Sequence, residues 1–460
     1  MKNLVYAITI VLSLTGCKKF VDIPAPPTQT EVDNLFTDAA TAESAVAGLY
    51  YKFGQQNNLL FNGLLTVCSG LSADELTPVT NQTYQAFFLN NLLPSNDQIE
   101  GTPFWTMPYN YIFHANALLK GLDNAPNIEQ SIKNQLRGEL LFLRAFTYFY
   151  LCNLYGGVPL VLTTDFRENE QKSRATAEVV LRQIVGDLTL AKSLLSLQYP
   201  STTRLRVNKL AATALLARAY LFQQKWVDAA NESAEVINSG VYQLGALDNA
   251  FLSNNKEAIF QFSTPPTSTT VTGEGLLFIP SQPTSRPSFC ISDSLLKAFE
   301  PGDQRLLKWT SKRTLSGITY YSPYKYKIRS VTSGAAKPEQ ITVLRLSEQF
   351  LIRAEALANQ GLLTAAIELV DTIRQRAGLP KLNDLNLSIS QSQLLTFIYH
   401  ERQVELFTEW GHRWLDLKRT GLIHGVLGAF KPNWQVHDAL YPIPSSQIRA
   451  NPSLTQNPGY

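Results

Sequence analysis

Apolar residues recur at helical spacing most clearly from Val343 to Pro380. Leu346, Phe350, Ala354, Leu357 and Ala358 make one stripe, and Ala366, Leu369, Val370, Ile373 and Ala377 make a second. Gly361 separates them, because a residue without Cβ accepts the left-handed conformation that closes a helix. Thr364 is placed to cap the second helix. Arg374 and Arg376 fall in its last turn, where the dipole favours cations, and Gly378 with Pro380 ends it. Small residues at Ala354, Ala358, Ala365 and Ala366 predict close approach of the two helices. The unit reads as a helical hairpin of the tetratricopeptide type.

The same periodicity predicts helices over Asp38–Phe53, Trp105–Leu119, Ile128–Tyr155, Ala177–Leu197, Asn208–Phe222, Trp226–Asn238 and Gln391–Phe407. A short repeat marks three of the hairpins: Leu143-Arg144-Ala145, Ala217-Arg218-Ala219 and Ile352-Arg353-Ala354. Hairpins of this kind bury their faces by stacking. The predicted fold is therefore mainly α, a superhelix of tetratricopeptide-like hairpins with irregular, loop-rich insertions. The copies are far apart in sequence, so the array is expected to be interrupted. Two blocks lose the pattern, residues 57–102 and 240–339, and long irregular insertions in compact proteins are commonly functional. Both are rich in aromatic residues. The end of the chain, with Pro442, Pro444, Pro452 and Pro458, predicts an extended strap without helix.

Composition changes this picture in two ways. With 45% hydrophobic and 17% charged residues, a packed core is expected. A net charge of +3 is too small and too scattered for a nucleic-acid binder. The N-terminus adds a specific signal. After Lys2, Leu4 to Leu14 is apolar but too short to span a bilayer, and Leu14-Thr15-Gly16-Cys17 follows at once. This reads as a lipobox, with residues 1–16 as signal peptide, Cys17 as lipid attachment site and 17–36 as a proline-rich tether. Residues 37–460 read as a single domain: an N-terminal part to about 240, an insertion-rich part over 241–339 and a C-terminal part over 340–460. Cys68, Cys152 and Cys290 have no CxxC spacing, and the expectation is buried thiols with at most one disulfide.

No phosphate-binding, dinucleotide, HExxH or GxSxG motif is present. The five histidines lack ligand spacing, so neither a metal nor a cofactor is expected. Asp74-Glu75 is the best carboxylate pair for acid/base work, although a loop or helix-cap role fits it better. Glu401, Glu405 and Glu409 at helical spacing are expected to pair with Arg402, Arg413 or Arg419. The remaining chemistry is that of flat aromatic rings flanked by amides and charges, which suits sugar rings and their hydroxyls. Tyr84, Trp105, Trp309, Tyr320, Tyr321 and Tyr324 are the candidate rings, with Asp74 and Asn81 as polar partners. Trp105 and Tyr109 also repeat at helical spacing, which suits packing.

Several longer motifs run in order along the chain: LYGGVPL at Leu154–Leu160, RAEAL at Arg353–Leu357, IRQRAGLP at Ile373–Pro380, ERQVELFTEWGHRWLDLKR at Glu401–Arg419 and LYPIPSSQIRANPSLTQNPGY at the end. Together with the lipobox they resemble the SusD/RagB family. The family often has Phe-Glu-Gly where this chain has Thr408-Glu409-Trp410-Gly411. The resemblance implies a non-enzymatic, glycan-binding lipoprotein on the outer membrane of Bacteroidota, facing the exterior. It also implies four tetratricopeptide-like pairs and a SusC-like TonB-dependent transporter as partner. The acidic export signal of the family is weak, since Lys18-Lys19 follow the cysteine and only Asp22 comes after. Peptide binding, as in some relatives, is one alternative. A surface glycoside hydrolase or lyase with Asp74 beside Trp309, or a pure interaction scaffold, are others.

Overall fold

The computed structural model describes residues 35–55, 59–385 and 389–460. Cys17, the signal peptide and most of the tether lie outside the described residues. Nine long helices carry the architecture: α1 (Ala39–Gly54), α2 (Met107–Asp123), α3 (Gln130–Tyr155), α4 (Ala177–Leu194), α5 (Lys209–Phe222), α6 (Trp226–Asn238), α7 (Leu346–Asn359), α8 (Leu363–Arg376) and α9 (Gln391–Leu406). Their starts are set by side chains that satisfy orphan amides. Asp38 accepts from Thr41 N, Asn208 from Ala211 N, and Ser390 forms a reciprocal capping box with Gln393. Gly361 at φ +79° separates α7 from α8, as its spacing predicts. Thr364 does not cap α8, because the helix already begins at Leu363.

The helices stack in chain order: α2 on α3, α3 on α4, α4 on α5, α5 on α6, α6 on α7, and α7 on both α8 and α9. The expectation of an interrupted array is corrected here. The insertion between α6 and α7 loops out, and those two helices meet directly. The repeated arginine explains how successive layers keep register. Arg144 of α3 makes a bidentate pair with Asp187 of α4, at 2.8 and 2.7 Å. Arg218 of α5 does the same with Glu348 of α7, at 2.7 Å on both oxygens. Two fixed hydrogen bonds per pair specify one sliding position of helix on helix. The third copy, Arg353, makes no such pair among the described residues, where its buried Nε finds no partner.

A core of aromatic and aliphatic residues fills the space between α1, α3, α5 and the strand Ala258–Phe262, which pairs antiparallel with Ile341–Arg345. Phe53, Phe61, Phe146, Tyr150 and Phe262 form a chain of ring contacts there. Ala354, Ala358 and Ala366 close the α7–α8 contact, whereas Ala365 faces solvent. Cys68, Cys152 and Cys290 are buried and free, so no disulfide joins them. The C-terminal strap contains a six-residue helix, Ser445–Ala450, that the prolines were expected to exclude. Pro444 precedes it, where a missing N–H costs nothing.

A second, ionic core lies where α8 and α9 meet the insertion. Arg305, Arg345 and Arg376 converge on Glu405. Glu401 holds Arg305 at 2.5 Å and Arg374 at 3.5 Å, and Glu409 holds Arg345 at 2.7 Å and also Lys325. The side chains of all these groups are 8% exposed or less. Burial opposes the charge of Glu405, but Arg376, Arg345 and Arg305 outweigh it and hold the carboxyl well below its usual range. The expected partners of Glu401, Glu405 and Glu409 are thus corrected. Arg402 and Arg419 instead bind Asp416, and Arg413 binds Asp74.

Candidate ligand-binding face

The two irregular blocks come together along a strand pair. Leu76–Pro78 runs antiparallel to Phe289–Ile291, in register Leu76 with Ile291. Val79 N donates to Ser288 O at 2.9 Å and Thr80 Oγ1 to Pro287 O at 3.2 Å, which extends the pairing into both loops. Beyond the pair, Asn81 Oδ1 accepts from Thr83 N at 3.0 Å, an Asx turn that fixes the loop. The turn delivers Tyr84, half-buried, with its ring 6.3 Å from Phe289.

On the other side of Phe289–Ile291 stands a hairpin, Thr310–Leu315 with Ile318–Pro323. Ser316 and Gly317 both have positive φ, the conformation that a two-residue hairpin turn requires. Ser322 Oγ donates to Phe289 O at 3.4 Å and docks the hairpin on the strand. Register places Arg313 opposite Tyr320 and Lys312 opposite Tyr321. Arg313 Nη1 reaches the carbonyl oxygens of Gln282, Pro283 and Ser285 at 2.9–3.1 Å and so holds the loop before Phe289.

The structure sorts the candidate residues into three groups. Asn81 and Tyr84 lie on the loop after Leu76–Pro78 and Tyr320 on the hairpin, the two elements that flank Phe289–Ile291, and each is half-buried. Tyr321 and Tyr324 are half-buried but engaged by cations: Lys312 is 5.8 Å from the Tyr321 ring and Lys327 is 5.8 Å from Tyr324. Tyr321 also packs against the core around Phe251 and Ile291. Asp74, Trp105 and Trp309 are buried, at 1%, 3% and 0% exposure.

For Asp74 and Trp309 the expectation of ligand contact is therefore corrected. Asp74 receives Arg413 at 2.7 and 2.8 Å and Ser294 Oγ at 3.0 Å. Burial opposes its charge, yet Arg413 wins and keeps the carboxyl below its usual range. Trp309 donates its indole N–H to Leu247 O at 2.9 Å. Its ring lies over the ionic core, with Lys325 Nζ 4.6 Å and Arg345 Cζ 5.7 Å from its centroid. A buried cation loses water and gains the ring's negative face in return. The hydrolase arrangement with Asp74 beside Trp309 has no open cleft to work in. Trp105 packs edge-on against Tyr155 at 4.9 Å.

Glu75, next to Asp74, has no direct cation partner among the described residues. Burial first, and then neighbouring Asp74, push it up to about 8, although Thr408 N donates to it at 3.2 Å. It is protonated at neutral pH. Sequence reasoning missed Arg286, exposed on the loop before Phe289, and Arg313, which stands opposite Tyr320 in the hairpin and holds that loop. Their signal was position alone, within a block of weak pattern. Among the described residues no group of three or more His, Cys, Asp and Glu could hold a metal ion, and no helix is long and apolar enough to cross a membrane.

Comparison with known proteins adds the family context. Residues 33–221 match a family described as starch-binding and associating with the outer membrane, and residues 306–460 match the SusD family. Together the two ranges cover about three quarters of the chain. SusD-like protein P2 of Formosa agariphila is 26% identical over 98% of this chain and 98% of its own length. SusD-like protein P38 of the same organism is 26% identical over 81% and 82%. Among solved structures, a SusD superfamily protein from Bacteroides vulgatus superposes with a TM-score of 0.80 at 20% identity, over 93% of this chain and 100% of that one. A laminarin-binding SusD-like protein superposes with a TM-score of 0.75 at 24% identity, over 92% and 99%.

Proposed function

The chain belongs to the SusD family, and from that premise we propose that it is a cell-surface glycan-capture subunit. In this reading an oligosaccharide lies on the face of Asn81, Tyr84 and Tyr320. The tyrosine rings stack on sugar rings, and Asn81, Arg286 and backbone groups of the flanking loops bond the hydroxyls. A lipid on Cys17 holds the protein to the outer membrane, and the captured sugar passes to a SusC-like TonB-dependent transporter. The protein itself does no chemistry on the sugar.

One observation carries the reading. Leu76–Pro78 and Phe289–Ile291, from the two blocks without helical pattern, pair and carry half-buried aromatic rings on their flanking loop and hairpin, while the helices build the support behind them. A laminarin-binding protein of the same fold fits the ligand class. Isothermal calorimetry and affinity electrophoresis against a panel of polysaccharides test it. Binding to at least one glycan, lost in Tyr84→Ala/Tyr320→Ala, is expected. Binding to peptides and to no glycan would move the protein to the peptide-handling branch. Release of reducing ends by the pure protein would make it an enzyme.

A further inference from the structure

A second hollow opens away from that face, between the start of α2, the loop after α3 and the C-terminal strap. It encloses about 400 Å³, within the range of small-molecule sites. Trp105 and Tyr109 form one wall, with their rings 5.2 Å apart. Phe166 stands at its rim with 72% of its surface exposed, more than almost any other large apolar residue described. A phenyl ring so placed gains nothing from folding.

The polar groups of the hollow are amides. Asn169, Gln171, Gln447 and Asn451 line it. Asn169 donates through Nδ2 to Thr163 O at 2.9 Å, which fixes the loop that carries Phe166. Asn451 is held rigid, with Nδ2 on Lys172 O and Oδ1 on Ser453 N, both at 2.9 Å. Glu170 is the only titratable side chain in the lining apart from Tyr109, and no lysine or arginine contributes. Cations are what sulfated or uronic sugars require, so their absence from the lining selects against polyanions.

We infer that this hollow is a second carbohydrate site, specific for a neutral sugar, with Tyr109 and Phe166 as stacking rings and Gln171 and Gln447 as hydrogen-bonding groups. It rests on the glycan-binding reading only for the class of ligand. Tyr109 is fixed by donating its hydroxyl to Pro159 O at 2.8 Å, so the wall is preformed. A chain anchored at two separated points is held longer than at either alone.

Saturation-transfer NMR with neutral gluco-, manno-, galacto- and xylo-oligosaccharides tests the inference on the full chain and three variants. These are Tyr84→Ala/Tyr320→Ala, Phe166→Ala/Gln447→Ala, and all four changes together, each checked for fold by circular dichroism. The expected result is that Tyr84→Ala/Tyr320→Ala still receives signal from at least one sugar and the fourfold variant falls to the no-protein level. If the fourfold variant keeps the signal of Tyr84→Ala/Tyr320→Ala, the second site is refuted. Silence of Tyr84→Ala/Tyr320→Ala with a binding wild type refutes it too and leaves the open face standing. Loss in Phe166→Ala/Gln447→Ala alone, with Tyr84→Ala/Tyr320→Ala unchanged, supports the hollow and overturns the open face. Silence of every protein overturns both.

Discussion

Trp309 and Tyr320 are eleven residues apart, in the same unpatterned block, and have opposite fates. Trp309 ends a five-residue helix and is sealed over Lys325 and Arg345. Tyr320 sits in a two-stranded hairpin whose only attachment near its tip is the grip of Arg313 on neighbouring carbonyls. Both rings escape helical periodicity, and that alone does not separate them. What separates them is charge. The five cations Arg305, Lys325, Arg345, Arg374 and Arg376 and the glutamates Glu401, Glu405 and Glu409 come from five separate segments, and they need a roof that excludes water. An aromatic residue supplies that roof and some attraction as well. The hairpin faces no such demand, and its rings remain available.

The contrast is broken most severely from the ionic side. Removing one partner of a buried ion pair leaves an uncompensated charge and costs about 3–5 kcal/mol. Glu405→Ala takes one carboxylate from Arg305, Arg345 and Arg376 at once and leaves the core with an excess positive charge, so its loss of stability, read from urea unfolding, is expected within that range. A loss below about 1 kcal/mol would show that the network is dispensable.

A smaller effect concerns pH. Glu75 is raised from its ordinary value of 4.5 to about 8 by burial and by Asp74. A folded state that holds this proton more tightly is favoured fully below 4.5, and the advantage is lost as pH rises through about 8. Glu75→Gln removes that dependence. The variant is expected to be no more stable than wild type at pH 6 and more stable at pH 9, by thermal melting at both values. Parallel curves would place Glu75 in its ordinary range. The comparison is made between two proteins because buried Lys418 and Lys431, lowered to about 7 by burial, shift stability in the opposite direction.

The smallest effect is expected at the open face. Tyr320→Ala removes a half-buried ring outside every hydrophobic core cluster, so unfolding free energy should change by about 0.5 kcal/mol or less. A loss above about 2 kcal/mol would make Tyr320 a packing residue and sharpen the search toward Tyr84.

The helical half of the molecule was legible because its signals are local. Gly361, the capping residues Asp38, Asn208 and Ser390, and the stripes of α7 and α8 each act within a few residues. The repeated arginine was visible too, though not its partners, since Asp187 and Glu348 belong to the next layer. The site was legible only in part. Asn81, Tyr84 and Tyr320 stood out as aromatic and amide residues in weakly patterned chain, and all three are half-buried on elements flanking Phe289–Ile291. Asp74 and Trp309 stood out by the same rule and are buried, because Arg413 and Lys325 reach them from segments that spacing cannot connect. Glu401, Glu405 and Glu409 misled for the same reason. Neighbours at one helical turn are the natural partners on a surface, whereas a buried carboxylate collects cations from several elements. Phe166 and Gln447 gave no signal at all, since the hollow they line exists only once the strap is folded back.

The central claim is that ligand binds the open aromatic face and not the aromatic roof of the ionic core. Calorimetric titration with the oligosaccharide selected from the panel compares Tyr84→Ala/Tyr320→Ala with Trp309→Phe, both at a temperature where each is folded. The account predicts at least a tenfold weaker affinity for the first, about 1.4 kcal/mol, and wild-type affinity for the second. Wild-type affinity in Tyr84→Ala/Tyr320→Ala, with loss in Trp309→Phe, would contradict it.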